Sequence, residues 1–198
     1  MVKIKFCGLS RLCDIEFANE IKPDYAGFVF FEKSRRNISF EKAEELKKFL
    51  APEIKTVGVF VDEKIEKILS FAKILDLIQL HGNENEIYTE KIKNLTDKPV
   101  IKAFQIKNEK DLEVALRSPA DYIMLDSGQG TGKNFDWKLI KNISRPYFLA
   151  GGLNAENVAD AVKILNPFAV DVSSGIETDG FKDKIKMLDF AKAVRKEN

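Results

Sequence analysis

Eight short, apolar, β-rich runs recur along the chain, their starts about 20 to 30 residues apart. They are Lys3–Cys7, Tyr25–Phe30, Thr56–Val61, Asp76–Leu80, Val100–Phe104, Tyr122–Leu125, Tyr147–Ala150 and Phe168–Val172. No two are close enough to be joined by a two-residue hairpin. Parallel strands need crossovers of a dozen or more residues, usually helical, and the intervals supply them. Phe40–Leu50 sets Ala43, Leu46, Phe49 and Leu50 at helical spacing, with Glu and Lys opposite. Ile65, Ile68, Leu69 and Ala72 repeat the pattern, as do Leu112, Ala115 and Leu116. Ser39 and Asn108 stand where helix N-caps belong, and a helix is expected over Ala155–Leu165.

Eight βα units in 198 residues predict an α/β fold, a single (β/α)8 TIM barrel over residues 1–198. At about 25 residues per unit it is near the smallest size of that fold. An open doubly wound sheet is the alternative, but usually has fewer strands. No linker or low-complexity segment divides the chain. Hydrophobic residues at 44% and 15 Phe can fill such a core, which excludes disorder. The 32 basic and 31 acidic side chains nearly cancel, so no charge excess points to nucleic acid. The longest apolar stretches fall far short of a membrane span, and the N-terminus lacks a signal-peptide layout. Two cysteines, Cys7 and Cys13, do not make a disulfide framework. A reduced, cytoplasmic, monomeric protein is expected.

In such a barrel the working face lies at the C-terminal ends of the strands. There the chain places Cys7-Gly8, Ser34-Arg35-Arg36, Asp62, His81-Gly82, Asp126-Ser127-Gly128, Gly151-Gly152 and Ser173-Ser174-Gly175. The opposite loops carry plainer punctuation, such as Lys22-Pro23-Asp24 and Asn166-Pro167. A phosphate site is expected where barrels of this type build one, after runs seven and eight. Its candidates are Gly151, Gly152, Asn154, Ser173, Ser174 and Gly175, since glycine lets backbone N–H groups approach an anion. Tight turns alone would also use these glycines.

Strand alternation turns Lys5 and Cys7 inward, opposite Ile4 and Phe6. Tyr122, Met124 and Asp126 share an inward face, as do Gln79 and His81, and Asp171 lies between two outward valines. Runs seven and eight separate one from six around the ring. A phosphate held there would leave the rest of a substrate between Cys7 and Asp126, a thiol and a carboxyl able to act as base and acid. Plainer readings exist for each. A lone Cys is usually a small buried hydrophobe, an Asp before Ser-Gly is often a turn former, and His81 can be a packed imidazole. As the sole histidine it cannot build a multi-His metal site. Arg36, in the loop after run two, is placed to bind a carboxylate.

These residues sit in segments that resemble the phosphoribosylanthranilate isomerases nearly end to end. The matching stretches are Lys5-Phe6-Cys7-Gly8-Leu9-Ser10, Gly27-Phe28-Val29-Phe30, Ser34-Arg35-Arg36-Asn37-Ile38-Ser39 and Val57-Gly58-Val59-Phe60-Val61. They continue through Ile78-Gln79-Leu80-His81-Gly82, Leu125-Asp126-Ser127 and Gly130-Thr131-Gly132-Lys133-Asn134-Phe135-Asp136-Trp137. Leu149-Ala150-Gly151-Gly152-Leu153-Asn154 and Val170-Asp171-Val172-Ser173-Ser174-Gly175-Ile176-Glu177 complete them. Asn37, Ser10 and Ala155 depart from the usual pattern, and none touches a proposed catalytic group.

The resemblance implies an Amadori rearrangement of N-(5-phosphoribosyl)anthranilate, a tryptophan-pathway step needing no cofactor or metal. It implies Cys7 as general base, Asp126 as general acid and Arg36 as holder of the anthranilate carboxylate. His81 and Asp171, on inward faces, are expected to meet substrate as well. Lys5 is expected to favour the Cys7 thiolate, and a dry pocket to keep Asp126 protonated. Three rivals remain at this point. A pentose-phosphate epimerase would want several metal-binding histidines. An indole-glycerol-phosphate synthase suits the cysteine after strand one less well. A non-catalytic phosphate-binding barrel has no use for the Cys7–Asp126 pairing.

Overall fold

A computed structural model describes residues 1–126, 137–140 and 143–197. Eight parallel strands close on themselves in sequence order: β1 (Lys3–Cys7), β2 (Tyr25–Val29), β3 (Lys55–Phe60), β4 (Leu77–Leu80), β5 (Val100–Gln105), β6 (Tyr122–Asp126), β7 (Tyr147–Ala150) and β8 (Ala169–Val172). The expected α/β barrel is therefore present, with strand ends within one residue of the sequence reading.

Helices α1 (Leu12–Ile21), α2 (Phe40–Phe49), α3 (Ile65–Phe71), α4 (Glu86–Thr96), α5 (Glu109–Arg117), α6 (Val158–Leu165) and α7 (Lys184–Lys196) form the outer ring. Between β6 and β7 the described residues hold a single 3₁₀ turn, Trp137–Ile140. The caps are as the sequence predicts: Ser39 Oγ accepts the Lys42 N–H, and Asn108 Oδ1 accepts those of Lys110 and Asp111. The helix expected from Ala155 begins only at Val158. Asn154 Oδ1 accepts from the N–H groups of Glu156 and Asn157, so a side-chain turn occupies the first three positions.

Period-two alternation divides the strand side chains into two cores. Ile4, Phe6, Ile78, Leu80, Ile123, Leu125, Leu149 and Val170 point out and pack beneath the helices. Tyr25, Val57, Leu77, Ile101, Met124, Phe148 and Ala169 fill the barrel. Its lower end is plugged by aromatic rings, with centroids 5.5 Å apart for Tyr25–Phe148, 5.7 Å for Tyr122–Phe148 and 5.0 Å for Tyr122–Phe168. Above the plug the interior turns polar, with Lys5, Gln79 and Asp171 buried and Cys7 at the mouth against Val29 and Val59. The barrel is a filled core with chemistry confined to one end.

A two-stranded hairpin, β9 (Glu177–Thr178) with β10 (Phe181–Lys182), follows β8. It turns through Asp179 and Gly180, both at positive φ, and nothing in the sequence reading anticipated it. No helix among the described residues is long and apolar enough to cross a membrane.

Candidate active site

β1 delivers Lys5 and Cys7 to the barrel interior, where β8 pairs with β1 so that Lys5 stands level with Asp171. Lys5 Nζ lies 2.6 Å from Asp171 Oδ1, with the lysine side chain wholly buried. Burial alone would weaken the ammonium, but Asp171 and Cys7 outweigh it and hold the Lys5 pKa above its ordinary value. The same burial raises the Cys7 pKa, and Lys5 only partly opposes it. Lys5 does favour the Cys7 thiolate, and burial outweighs that pull. Asp171, paired with the lysine, adds to the upward push on the thiol.

Space for this cluster comes from Gly27 on β2. A Cβ there would stand 3.1 Å from Cys7 Cα, 3.2 Å from its Sγ and 3.3 Å from Lys5 Nζ.

Opposite, the end of β6 carries Asp126, whose Oδ2 lies 3.6 Å from His81 Nε2 at the end of β4. His81 Nδ1 is 2.8 Å from the Gln79 side-chain amide, two residues earlier on the same inward face. Asp126 and His81 line a cavity of about 610 Å³ with Asp62, Lys102 and Gln105. Beside it, Lys102 Nζ bonds Glu84 Oε2 at 2.8 Å and the Gly82 carbonyl at 2.7 Å, bracing the loop after β4. A smaller cavity of about 310 Å³ at the other end of the barrel gathers none of the expected site residues.

The two glycine loops meet. A Cβ on Gly175 would collide with the Leu153 carbonyl oxygen, so only glycine lets the loop after β8 lie against the loop after β7. Gly151 and Gly152 take positive φ of 94° and 63°. Among the described residues, the N–H groups of Gly152, Ser174 and Gly175 have no hydrogen-bond acceptor. Two candidates are already committed: Asn154 Oδ1 caps its own turn, and Ser173 Oγ donates to the Cys7 carbonyl at 3.0 Å.

Arg36, in the loop after β2, lies across Gly8, whose φ of +79° and missing Cβ admit the arginine arm. Its Nε and Nη2 grip Glu177 Oε1 and Oε2 at 2.6 and 2.7 Å. Arg35 Nη2 reaches Oε2 at 2.6 Å, and buried Lys182 reaches Oε1 at 2.7 Å. Burial of Glu177 works against its ionisation, yet Arg36 and Lys182 hold its pKa at about 2. Lys182 also bonds the carbonyl and the hydroxyl of Ser173.

A family model described as N-(5'phosphoribosyl)anthranilate (PRA) isomerase matches residues 4–193. The chain belongs to that family. It is 48% identical over 204 residues to the N-(5'-phosphoribosyl)anthranilate isomerase of Thermoanaerobacter sp. (strain X514), with 98% of each chain covered. It is also 48% identical to the isomerase of Clostridium acetobutylicum, with 99% of each covered. Among solved structures, the Thermotoga maritima phosphoribosyl anthranilate isomerase superimposes with a TM-score of 0.92 at 42% identity, covering 99% of this chain and 100% of that one. A phosphoribosyl anthranilate isomerase in complex with reduced 1-(o-carboxyphenylamino)-1-deoxyribulose 5-phosphate gives a TM-score of 0.90 at 42% identity, with the same coverage. A third structure is described as monomers of the dimeric Thermotoga maritima isomerase, with a TM-score of 0.88 at 42% identity.

Within this isomerase fold, Cys7, Lys5 and Asp171 form one group, Asp126 and His81 a second, and Arg36 with the two glycine loops frames the mouth. Ser127, Gly128 and residues 130–136 of the matching motif lie outside the described residues. Sequence reading missed the part played by Glu177 and Lys182. Two-residue strands show no alternation, and Lys182 is one lysine among many. The one available signal was the acidic residue closing the Ser-Ser-Gly-Ile-Glu stretch.

Proposed function

We propose that this isomerase catalyses the tryptophan-pathway rearrangement of N-(5-phosphoribosyl)anthranilate to 1-(2-carboxyphenylamino)-1-deoxyribulose 5-phosphate, with Cys7 as base and Asp126 as acid. One observation carries the reading: Cys7 on β1 and Asp126 on β6 face a common mouth, separated only by β7 and β8, whose glycine loops lie against each other.

The phosphate would sit on the N–H groups of Gly152, Ser174 and Gly175, with Gly151, Asn154 and Ser173 shaping the cradle. The anthranilate carboxylate would meet Arg36, with His81 and Asp171 flanking the sugar. Asp126 protonates the furanose ring oxygen, the C1–O bond breaks, and the nitrogen lone pair forms a Schiff base at C1. Cys7 thiolate removes the C2 proton, and the enolamine so formed tautomerises to the aminoketose. Atoms and charge balance within substrate, base and acid, so the step needs neither cofactor nor metal. General acid–base help of this kind contributes about 10² to 10⁴ in rate per group.

Because Cys7 must stay out of a disulfide to act as base, we assign the protein to a reducing, cytoplasmic setting. We also assign it a monomeric state, supported by exposed apolar side chains scattered over separate helices, such as Ile87, Val114 and Ile185. Light scattering giving twice the chain mass of 22.5 kDa would overturn that assignment. The function itself is tested with freshly generated phosphoribosylanthranilate, followed by loss of its fluorescence with and without EDTA. Turnover in both is expected. No turnover would remove the reading, and EDTA-sensitive turnover would demand a metal.

A further inference from the structure

Glu177 is an acid sealed beneath a binding surface that should attract acids. Its side chain is 4% exposed and receives four charge-assisted bonds: Arg36 Nε and Lys182 Nζ on one oxygen, Arg36 Nη2 and Arg35 Nη2 on the other. These fill the four lone-pair positions of a carboxylate. Glu177 therefore has no acceptor capacity left for a substrate hydroxyl or proton, and its role lies in what it holds.

A guanidinium has two usable forks. The side fork, Nε with Nη2, is taken by Glu177. The end fork, Nη1 with the second proton of Nη2, forms no hydrogen bond among the described residues. Clamping the side fork fixes the plane of the group, so the end fork has one direction in which to offer a parallel pair of N–H donors. Gly8 fixes the arm from the other side, because a Cβ there would overlap Arg36 Cδ.

The same carboxylate is tied to the phosphate side. Lys182 spends its three protons on Glu177, the Ser173 carbonyl and Ser173 Oγ, and Ser173 Oγ donates to the Cys7 carbonyl. One anion thus connects the loop after β2, the loop after β8 and the end of β1. Three cations against one carboxylate also leave the rim with surplus positive charge.

We infer that Glu177 is a positioning residue for substrate recognition: by gripping the side fork of Arg36 it aims the end fork at the substrate's aromatic carboxylate, and through Lys182 it fixes that fork relative to the phosphate loop. This rests on the assignment of Arg36 to the carboxylate, and the test separates the two.

The probes are the reduced product analogue bearing the 2-carboxyphenyl group and its phenyl counterpart lacking the carboxylate, both measured as competitive inhibitors. Glu177→Gln should lower the preference for the carboxylated probe by about tenfold or more, the scale on which a misaimed contact loses binding. Affinity for the phenyl probe should change by less than about threefold, and KM should rise more than kcat falls. Because Glu177→Gln leaves Lys182 buried without its partner, Glu177→Gln/Lys182→Met serves as a second variant and should show the same loss of preference. Equal weakening of both probes, or an unchanged preference in both variants, overturns the inference. Arg36→Met is the control. If it abolishes the preference while the Glu177 variants keep it, the positioning role alone falls; if it keeps the preference, the carboxylate assignment falls with it.

Discussion

Lys5 and Asp171 meet at 2.6 Å inside the barrel, two residues below Cys7 on the same inward face, and pull the thiol's pKa in opposite directions. Burial then decides the protonation of Cys7, and it favours the neutral form. In a Cys13→Ser background Cys7 is the only thiol, and its alkylation by iodoacetamide should titrate above the ordinary cysteine value of about 8.5. Asp171→Asn, which releases the lysine charge, should move that midpoint down, and Lys5→Met should move it up. A wild-type midpoint below 8.5 would contradict this picture.

Truncating either catalytic group should cost turnover and spare the fold. Cys7→Ser and Asp126→Asn should each lower kcat by about 10² to 10⁴ with unfolding midpoints near wild type. Single-turnover assays at saturating substrate measure it, and a variant retaining wild-type kcat loses its assigned role.

Gly27→Ala should act on catalysis more than on stability. The added methyl would press on Cys7 Sγ from 3.2 Å and on Cys7 Cα from 3.1 Å, distances that force a shift of a few tenths of an ångström. Displacement of a reacting group on that scale should reduce kcat by about tenfold. Thermal melting and kinetics on the same preparation distinguish the two effects, and an unchanged kcat would refute the packing argument.

Glu177 should also set an acid limit on stability. Its native pKa of about 2 lies below the value of about 4.3 for an unfolded glutamate. The stabilisation is thus fully present above about pH 4.3 and disappears as pH falls toward 2. At neutral pH it amounts to about 3 kcal/mol at most. Urea unfolding should show wild type more stable than Glu177→Gln at pH 7, with the gap narrowing by pH 3. A gap that widens on acidification would reverse the sign and refute the assignment.

The barrel was legible from alternation and spacing because each strand's inward and outward residues differ in character, as Lys5 and Cys7 differ from Ile4 and Phe6. The Asn108 cap was legible because one side chain and the next three residues suffice to define it. The sequence places Asn154 at a helix entrance, although its short side chain competes with the helix by bonding to the N–H groups two and three residues ahead. The sequence places Lys5 beside Cys7, and the two do interact. The lysine's ion-pair partner, Asp171, lies 166 positions away, and no local pattern carries that pairing. Glu177 and Lys182 escaped for a related reason: their function depends on Arg36, whose loop is 141 positions upstream.

The closure of β8 onto β1 has a consequence for biogenesis. The setting of the base is shared between the first and the eighth strand of the barrel, so no portion of the chain that stops short of β8 can assemble it. A nascent chain short of Asp171 holds Lys5 with no counter-ion and an interior it cannot seal. Catalytic competence should therefore switch on late and in one step, when the final strand zips onto the opening one. An activity assay on refolding protein would then read out ring closure itself.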